Sequence, residues 1–163
     1  MASAPGQSVR SKFKAVCFDY RGVLLDHRTN RDILPGMDEL LKALQEKGMR
    51  MAIVSRFPLD VLREQIESLL PMFEGELRSS SARTKLDCIR ELADSWEIDD
   101  LEKISFIDDK PENLFSVWQY SQIHVIGFRG SCKYPQARDM CLKEGIPFAE
   151  SVIELKHLLL NEG

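Results

Sequence analysis

The stretch Ile104–Leu114 reads I-S-F-I-D-D-K-P-E-N-L. A short, mostly apolar run, Ile104–Ile107, stops abruptly at two aspartates, Asp108 and Asp109. A run of this length, bounded at once by charge, suits a strand buried on both faces, as in a parallel sheet. Three more runs have the same form. Ala15–Phe18 (A-V-C-F) stops at Asp19, Met51–Val54 (M-A-I-V) at Ser55 and Ile123–Ile126 (I-H-V-I) at Gly127. Phe73–Leu77 is a weaker fifth, read mainly from position.

Between these runs the apolar residues change to helical spacing. Met37, Leu40, Leu41 and Leu44 fall at i, i+3, i+4 and i+7, with Pro35 before them and Gly48 suited to the stop. Leu59, Leu62, Ile66, Leu69 and Leu70 form a stripe ended by Pro71. Leu86, Ile89, Leu92, Ala93 and Trp96 form another, and Leu114, Val117 and Trp118 mark a fourth. Pro135–Lys143 is a weaker helix, and the last runs from Ser151 through Val152, Leu155, Leu158 and Leu159. Each stripe reads as core packing.

Strand–helix alternation at this spacing predicts an α/β fold. It is a doubly wound, Rossmann-like parallel sheet of about five strands in a single domain over 13–163. Ligands of such sheets bind at the carboxyl ends of the strands. That rule singles out Asp19, Ser55, Asp108 and Asp109.

Composition narrows the function. The chain has 163 residues, 22 Lys and Arg against 26 Asp and Glu, and 44% hydrophobic residues, which excludes wholesale disorder. The resulting net charge of −4 argues against general nucleic-acid binding. No apolar run approaches the roughly 20 residues of a membrane helix. The cysteines Cys17, Cys88, Cys132 and Cys141 form no C-x-x-C pair. Cys17 and Cys88 lie in apolar segments and read as core residues. No disulfide framework is expected, and a reducing, cytoplasmic compartment follows as the expectation. Residues 1–12 lack an apolar segment of signal type and read as a flexible tail. There is no internal repeat, and no interface stripe is evident, so a monomer or weak dimer is expected.

The residues after the strands carry a resemblance. V-C-F-D-Y-R-G-V-L (Val16–Leu24) resembles the first motif of the haloacid dehalogenase (HAD) superfamily, an apolar strand followed by D-x-D-G. M-A-I-V-S resembles its second motif, a strand ending in Ser or Thr. Lys85 in T-K-L-D is the best match to the third, a lysine at a helix start. I-S-F-I-D-D-K-P-E-N-L resembles the fourth, a strand ending in an acidic pair.

The resemblance implies an Mg²⁺-dependent phosphohydrolase working on phosphomonoesters through an aspartyl-phosphate, a form of covalent catalysis. Asp19 would be the nucleophile. Mg²⁺, a hard ion that takes oxygen ligands, would be held by the carboxylates of Asp19 and Asp109 and the backbone carbonyl of Arg21. Asp108 would hold a metal-bound water or support the ligands. Ser55 and Arg56 would bind the phosphoryl oxygens with backbone N–H groups at a helix start. Lys85 would neutralise the phosphate and the carboxylates. The substrate would be a phosphorylated small molecule or a phosphoprotein. Too few residues separate Asp19 from the helix near Gly36, or Ser55 from Lys85, for an inserted cap, so the site is expected to be open.

The sequence departs from the motif at Arg21, where the family's phosphatases usually carry a second Asp that protonates the leaving oxygen and later helps to activate water. Arginine cannot do either. It could pair with Asp19 or Asp109 and compete with the metal, or it could grip a substrate phosphate. Two functions therefore stand: a phosphohydrolase with altered acid catalysis, rescued by His27 or by the substrate itself, and a catalytically inactive protein of this fold that binds a phosphorylated ligand or a protein partner. A response-regulator receiver domain uses similar groups, but its acidic pair belongs at the first strand, not the fourth.

Each residue also has a purely structural reading. Asp109-Lys-Pro-Glu112 fits a helix N-cap close to a capping box. Ser55 suits a turn, and Lys85 a surface position. His27 reads as an exposed loop residue, His124 as core and His157 as exposed. Arg78–Thr84 (R-S-S-S-A-R-T) reads as a solvated loop near the site.

Overall fold

The structure is a computed structural model and describes residues 12–160. The expected tail falls, apart from Lys12, outside the described residues. The elements follow in the order β1 Ala15–Phe18, α1 Met37–Glu46, β2 Arg50–Ser55, α2 Leu59–Gln65, β3 Gly75–Arg78, α3 Lys85–Ser95, β4 Ile104–Asp108, α4 Pro111–Tyr120, β5 His124–Phe128, α5 Ala137–Lys143, β6 Phe148–Ala149 and α6 Val152–Leu160. The strands form one sheet in the order β3-β2-β1-β4-β5-β6, every neighbouring pair parallel.

The four strong apolar runs are the four inner strands. β1 shows why they are continuous rather than alternating. Val16 and Phe18 belong to a core with α1 and α6, and Ala15 and Cys17 to a second core on the other face with α3 and α4. Side chains alternate across a strand, so a strand covered on both sides must be apolar at every position.

The sheet has six strands instead of about five. β6 holds only two residues, paired as Gly127↔Phe148 and Phe128↔Ala149, too few to leave a periodic signature. β3 begins two residues later than read from the sequence, because Leu70–Met72 winds into a 3₁₀ turn around Pro71. Two side chains read as core are exposed. His124 opens β5, exposed and edge-to-face with Phe13, and Trp118 is 42% exposed on α4.

No inserted domain interrupts the described chain. The link from β1 to α1 folds on itself, with the Tyr20 carbonyl accepting from the amides of Val23, Leu24 and Leu25, and Leu34 N–H donating to the Leu24 carbonyl. All four cysteines are unpaired. Among the described residues no helix is long and apolar enough to cross a membrane.

The chain runs outward from β1 to β3 and then returns to the other side of β1 as β4. The crevice of a doubly wound sheet lies at this reversal, outside the carboxyl ends of the strands. One helix start faces it with a built cap. Thr84 accepts from the Asp87 amide at 3.1 Å while the Asp87 carboxylate accepts from the Thr84 amide at 2.9 Å, a reciprocal box that sets Lys85 as the first helical residue. We expect Thr84→Ala to lower stability by about 1 kcal/mol in urea titration, and an unchanged midpoint would show that the box does not fix this start.

Candidate active site

Three carboxylates meet at the sheet reversal. Asp19 follows β1, Asp108 ends β4 and Asp109 follows it; one oxygen from each lies within 4.8 Å of the others. All three are at most 9% exposed. Carboxylates this close and this dry repel, and the fold answers with one cation. Lys85 Nζ donates to Asp108 Oδ2 at 2.9 Å and to Asp19 Oδ1 in a short ion pair. Lys85 is itself buried, and its ammonium lies 5.7 Å from the centre of the Phe106 ring. Burial alone would lower its pKa, but Asp108 and Asp19 outweigh burial and raise it.

Asp108 is fully bonded. Besides Lys85 it accepts from the Lys110 amide at 2.9 Å and from Asn113 Nδ2 at 3.0 Å. The capping role read onto Asp109 therefore belongs to its neighbour. The N-cap position of α4 is Lys110, and the carboxylate that reaches back over the helix start is that of Asp108. Asp109 is left with Oδ2 buried and without a hydrogen-bond partner. Burial first, then the charges of Asp19 and Asp108, push its pKa up to about 9. Asp19 is pushed up to about 6 by burial and Asp108, with Lys85 pulling the other way.

A buried oxygen without a donor, among hard oxygen donors and beside a second carboxylate, is an unmet demand for positive charge. A divalent cation of the magnesium type fits it, with Asp19 and Asp109 as the carboxylates able to hold it. The backbone leaves room there. Gly22 has φ +93°, and a Cβ on it would strike Asp109 Oδ2.

A cleft of about 260 Å³ opens over these groups, lined by Asp19, Arg21, Ser55, Arg56, Lys85 and Asp109 among others. The structure thus brings Asp19, Arg21, Ser55, Arg56, Lys85 and Asp109 to one cleft, with Asp108 buried and bonded to Lys85. Ser55 is buried and accepts from the Phe57 amide at 3.0 Å, so it also makes the turn its structural reading foresaw. Arg21 makes no ion pair among the described residues. Its Nε donates to Asn30 Oδ1 at 2.7 Å, and it does not compete with Lys85 for the carboxylates. His27 is outside the lining, with Nδ1 2.5 Å from the Ser131 hydroxyl. Arg78 and Arg83 also stand apart, the latter paired with Glu91.

Sequence reasoning missed Asn113, Lys110, Lys133 and Tyr134. The last two lie on the loop after β5, and the rule applied to Asp19 and Asp108 would have reached them had it been carried past Gly127. That loop is locked to the first. Ser131 N–H donates to the Gly22 carbonyl at 3.1 Å, and a Cβ on Gly130 would strike the same carbonyl.

No family model matches the chain, and no curated protein matches it. Solved structures do. The chain is similar to a haloacid dehalogenase-like hydrolase from Streptococcus pneumoniae (13% identity, 88% of this chain and 97% of that one, TM-score 0.71). It is similar to D,D-heptose 1,7-bisphosphate phosphatase from B. bronchiseptica, solved with magnesium and phosphate (14%, 93% and 100%, 0.71). It is also similar to 3-deoxy-D-manno-octulosonate 8-phosphate phosphatase from Moraxella catarrhalis, solved with magnesium, phosphate and its sugar acid (18%, 92% and 87%, 0.68). The fold is the haloacid dehalogenase-like fold, as the resemblance implied.

The raised carboxylates make stability depend on pH. The folded chain holds protons that the unfolded chain releases, so this stability is whole below about pH 4, where both states are protonated. It is lost as pH climbs through about 6 for Asp19 and about 9 for Asp109. In chelator, we expect Asp109→Asn to be more stable than the parent at about pH 8 and to lose less between about pH 5 and pH 9, measured by urea unfolding. Parallel pH profiles would remove Asp109 as the source.

Proposed function

We propose that the protein is a magnesium-dependent phosphohydrolase that cleaves phosphomonoesters through a phosphorylated Asp19. The observation that carries this reading is the pairing of Asp19 with Lys85 on the floor of an open cleft, beside a buried Asp109 oxygen that no donor satisfies.

Asp19 Oδ attacks phosphorus as the ester oxygen departs. Lys85 keeps Asp19 ionised, because a cation bonded to a carboxylate favours its charged form. It also fixes the orientation of the attacking carboxylate, which lowers the entropic part of the barrier. The Ser55 hydroxyl and Arg56, at the carboxyl end of β2, bind phosphoryl oxygens. Asp108 and Asn113 hold Lys85 and the start of α4 in place. Magnesium, held by Asp19, Asp109 and the Arg21 carbonyl, would offset the repulsion between the Asp19 carboxylate and the phosphate. The open mouth suits either a small phosphorylated molecule or a phosphorylated segment of protein. Arg21 favours a second reading, a phosphate-binding protein without turnover, since the position lacks a proton donor.

Hydrolysis of p-nitrophenyl phosphate separates the two. We expect turnover with magnesium, none with chelator, and a loss of at least about 10³-fold in Asp19→Asn, since removing the nucleophile removes the covalent route. Binding of inorganic phosphate without turnover in the parent would instead leave the binding reading.

A further inference from the structure

Phosphoryl transfer to Asp19 raises the question of what protonates the leaving oxygen. An alkoxide is a poor leaving group and requires a proton in the transition state, a contribution worth about 10²–10⁴-fold. Two residues beyond Asp19 stands Arg21, and a guanidinium keeps its protons at any working pH. His27 does not replace it: its Nδ1 is taken up by Ser131 and it lies outside the cleft lining. Lys85 is committed to Asp19 and Asp108. With Asp109 taken as a ligand of the cation, the remaining proton bearers on the lining include the ammonium groups of Lys110 and Lys133 and the phenol of Tyr134, classes of weak acid.

Arg21 is also anchored at one nitrogen. Its Nε is bonded to Asn30 Oδ1, the Asn30 carbonyl accepts from Gln65 Nε2 at 2.5 Å, and the Tyr20 hydroxyl donates to the other end of that Gln65 amide. Asn30 itself adopts a left-handed backbone, φ +53°. One guanidinium nitrogen is thereby anchored to the loop. The two terminal nitrogens make no ion pair among the described residues, on the wall of the cleft. Lys133 lines the same cleft. The cleft lining thus carries the positive charge of Arg21 and, with Asp109 committed to the cation, no free strong acid.

We propose that Arg21 selects phosphoryl compounds whose leaving group departs as a stable anion, namely aryl phosphates, acyl phosphates or phosphoric anhydrides. This rests on the phosphohydrolase reading: it narrows the phosphomonoesters to aryl ones and adds acyl phosphates and anhydrides, which share a stable anionic leaving group. The Asp19 Oδ–P bond forms as the P–O bond to the leaving group breaks. The electron pair of that bond stays on the departing oxygen, which is stabilised unprotonated beside Arg21. Water then attacks phosphorus, the P–Oδ bond breaks to restore the Asp19 carboxylate, and dihydrogen phosphate leaves with both protons of that water.

The test compares p-nitrophenyl phosphate, acetyl phosphate and glycerol 1-phosphate with magnesium, in the parent, Arg21→Asp and Arg21→Gln. In the parent we expect the first two to exceed the alkyl ester by at least about 10²-fold in kcat/KM. Arg21→Asp should raise the alkyl rate and narrow the gap below about tenfold, whereas Arg21→Gln should slow p-nitrophenyl phosphate without raising the alkyl rate. A parent that hydrolyses the alkyl ester within about tenfold of p-nitrophenyl phosphate overturns the proposal while leaving the phosphohydrolase standing. A parent inactive on all three overturns both.

Discussion

One buried ammonium group holds this molecule's chemistry together. Lys85 lies between Asp19 and Asp108, which come from strands that sequence separates by most of the domain. A carboxylate moved from water into the interior is costly unless it is paired, and removing the partner of a buried charge costs about 3–5 kcal/mol. The fold meets that demand with a capped helix start that presents Lys85 at a fixed depth. Phe106 beneath it and Asn113 beside Asp108 complete the surroundings. The arrangement is deliberately short of balance. One ammonium faces three carboxylates, and Asp109 bears the deficit as a lone buried oxygen. On the proposed reading, in which the site takes up a cation and then a phosphate, such a residual charge belongs at its base.

The sheet explains why these groups meet at all. All six strands are parallel, so every carboxyl end lies on one edge. The return of β4 beside β1 puts Asp19 and the Asp108–Asp109 pair on either side of the reversal. β2 lies on the other side of β1 and brings Ser55 and Arg56. Nothing in the packing of the two cores asks for acid at these places; the core residues end one position earlier.

Much of this could be read from the sequence, because two-sided burial writes a strand as an uninterrupted apolar run and stops it at a polar residue. Asp19, Ser55 and Asp109 emerged on that basis and share the cleft with Lys85, which only the resemblance to the third motif picks out. What stayed hidden depended on contacts across long separations. Which aspartate caps α4 was not decidable from D-D-K-P, since either can reach back, and the geometry gives the bond to Asp108. β6 has too few residues to show a period. His124 sits in an apolar run but at its first position, where the strand emerges from the core. The anchoring of Arg21 by Asn30 and Gln65 joins residues whose sequence spacing carries no signal.

The half-buried position of Arg21 has a wider consequence. Its side chain contacts the loop and the cleft but belongs to neither core, whereas Tyr20 and Val23 around it are fully buried. Folding therefore places little selection on what stands at this position, whereas on the proposed reading reactivity places a great deal. A residue substitution at this position can change what lines the cleft and leave both cores intact. Descendants of one ancestor can thus diverge in chemistry before their shapes diverge.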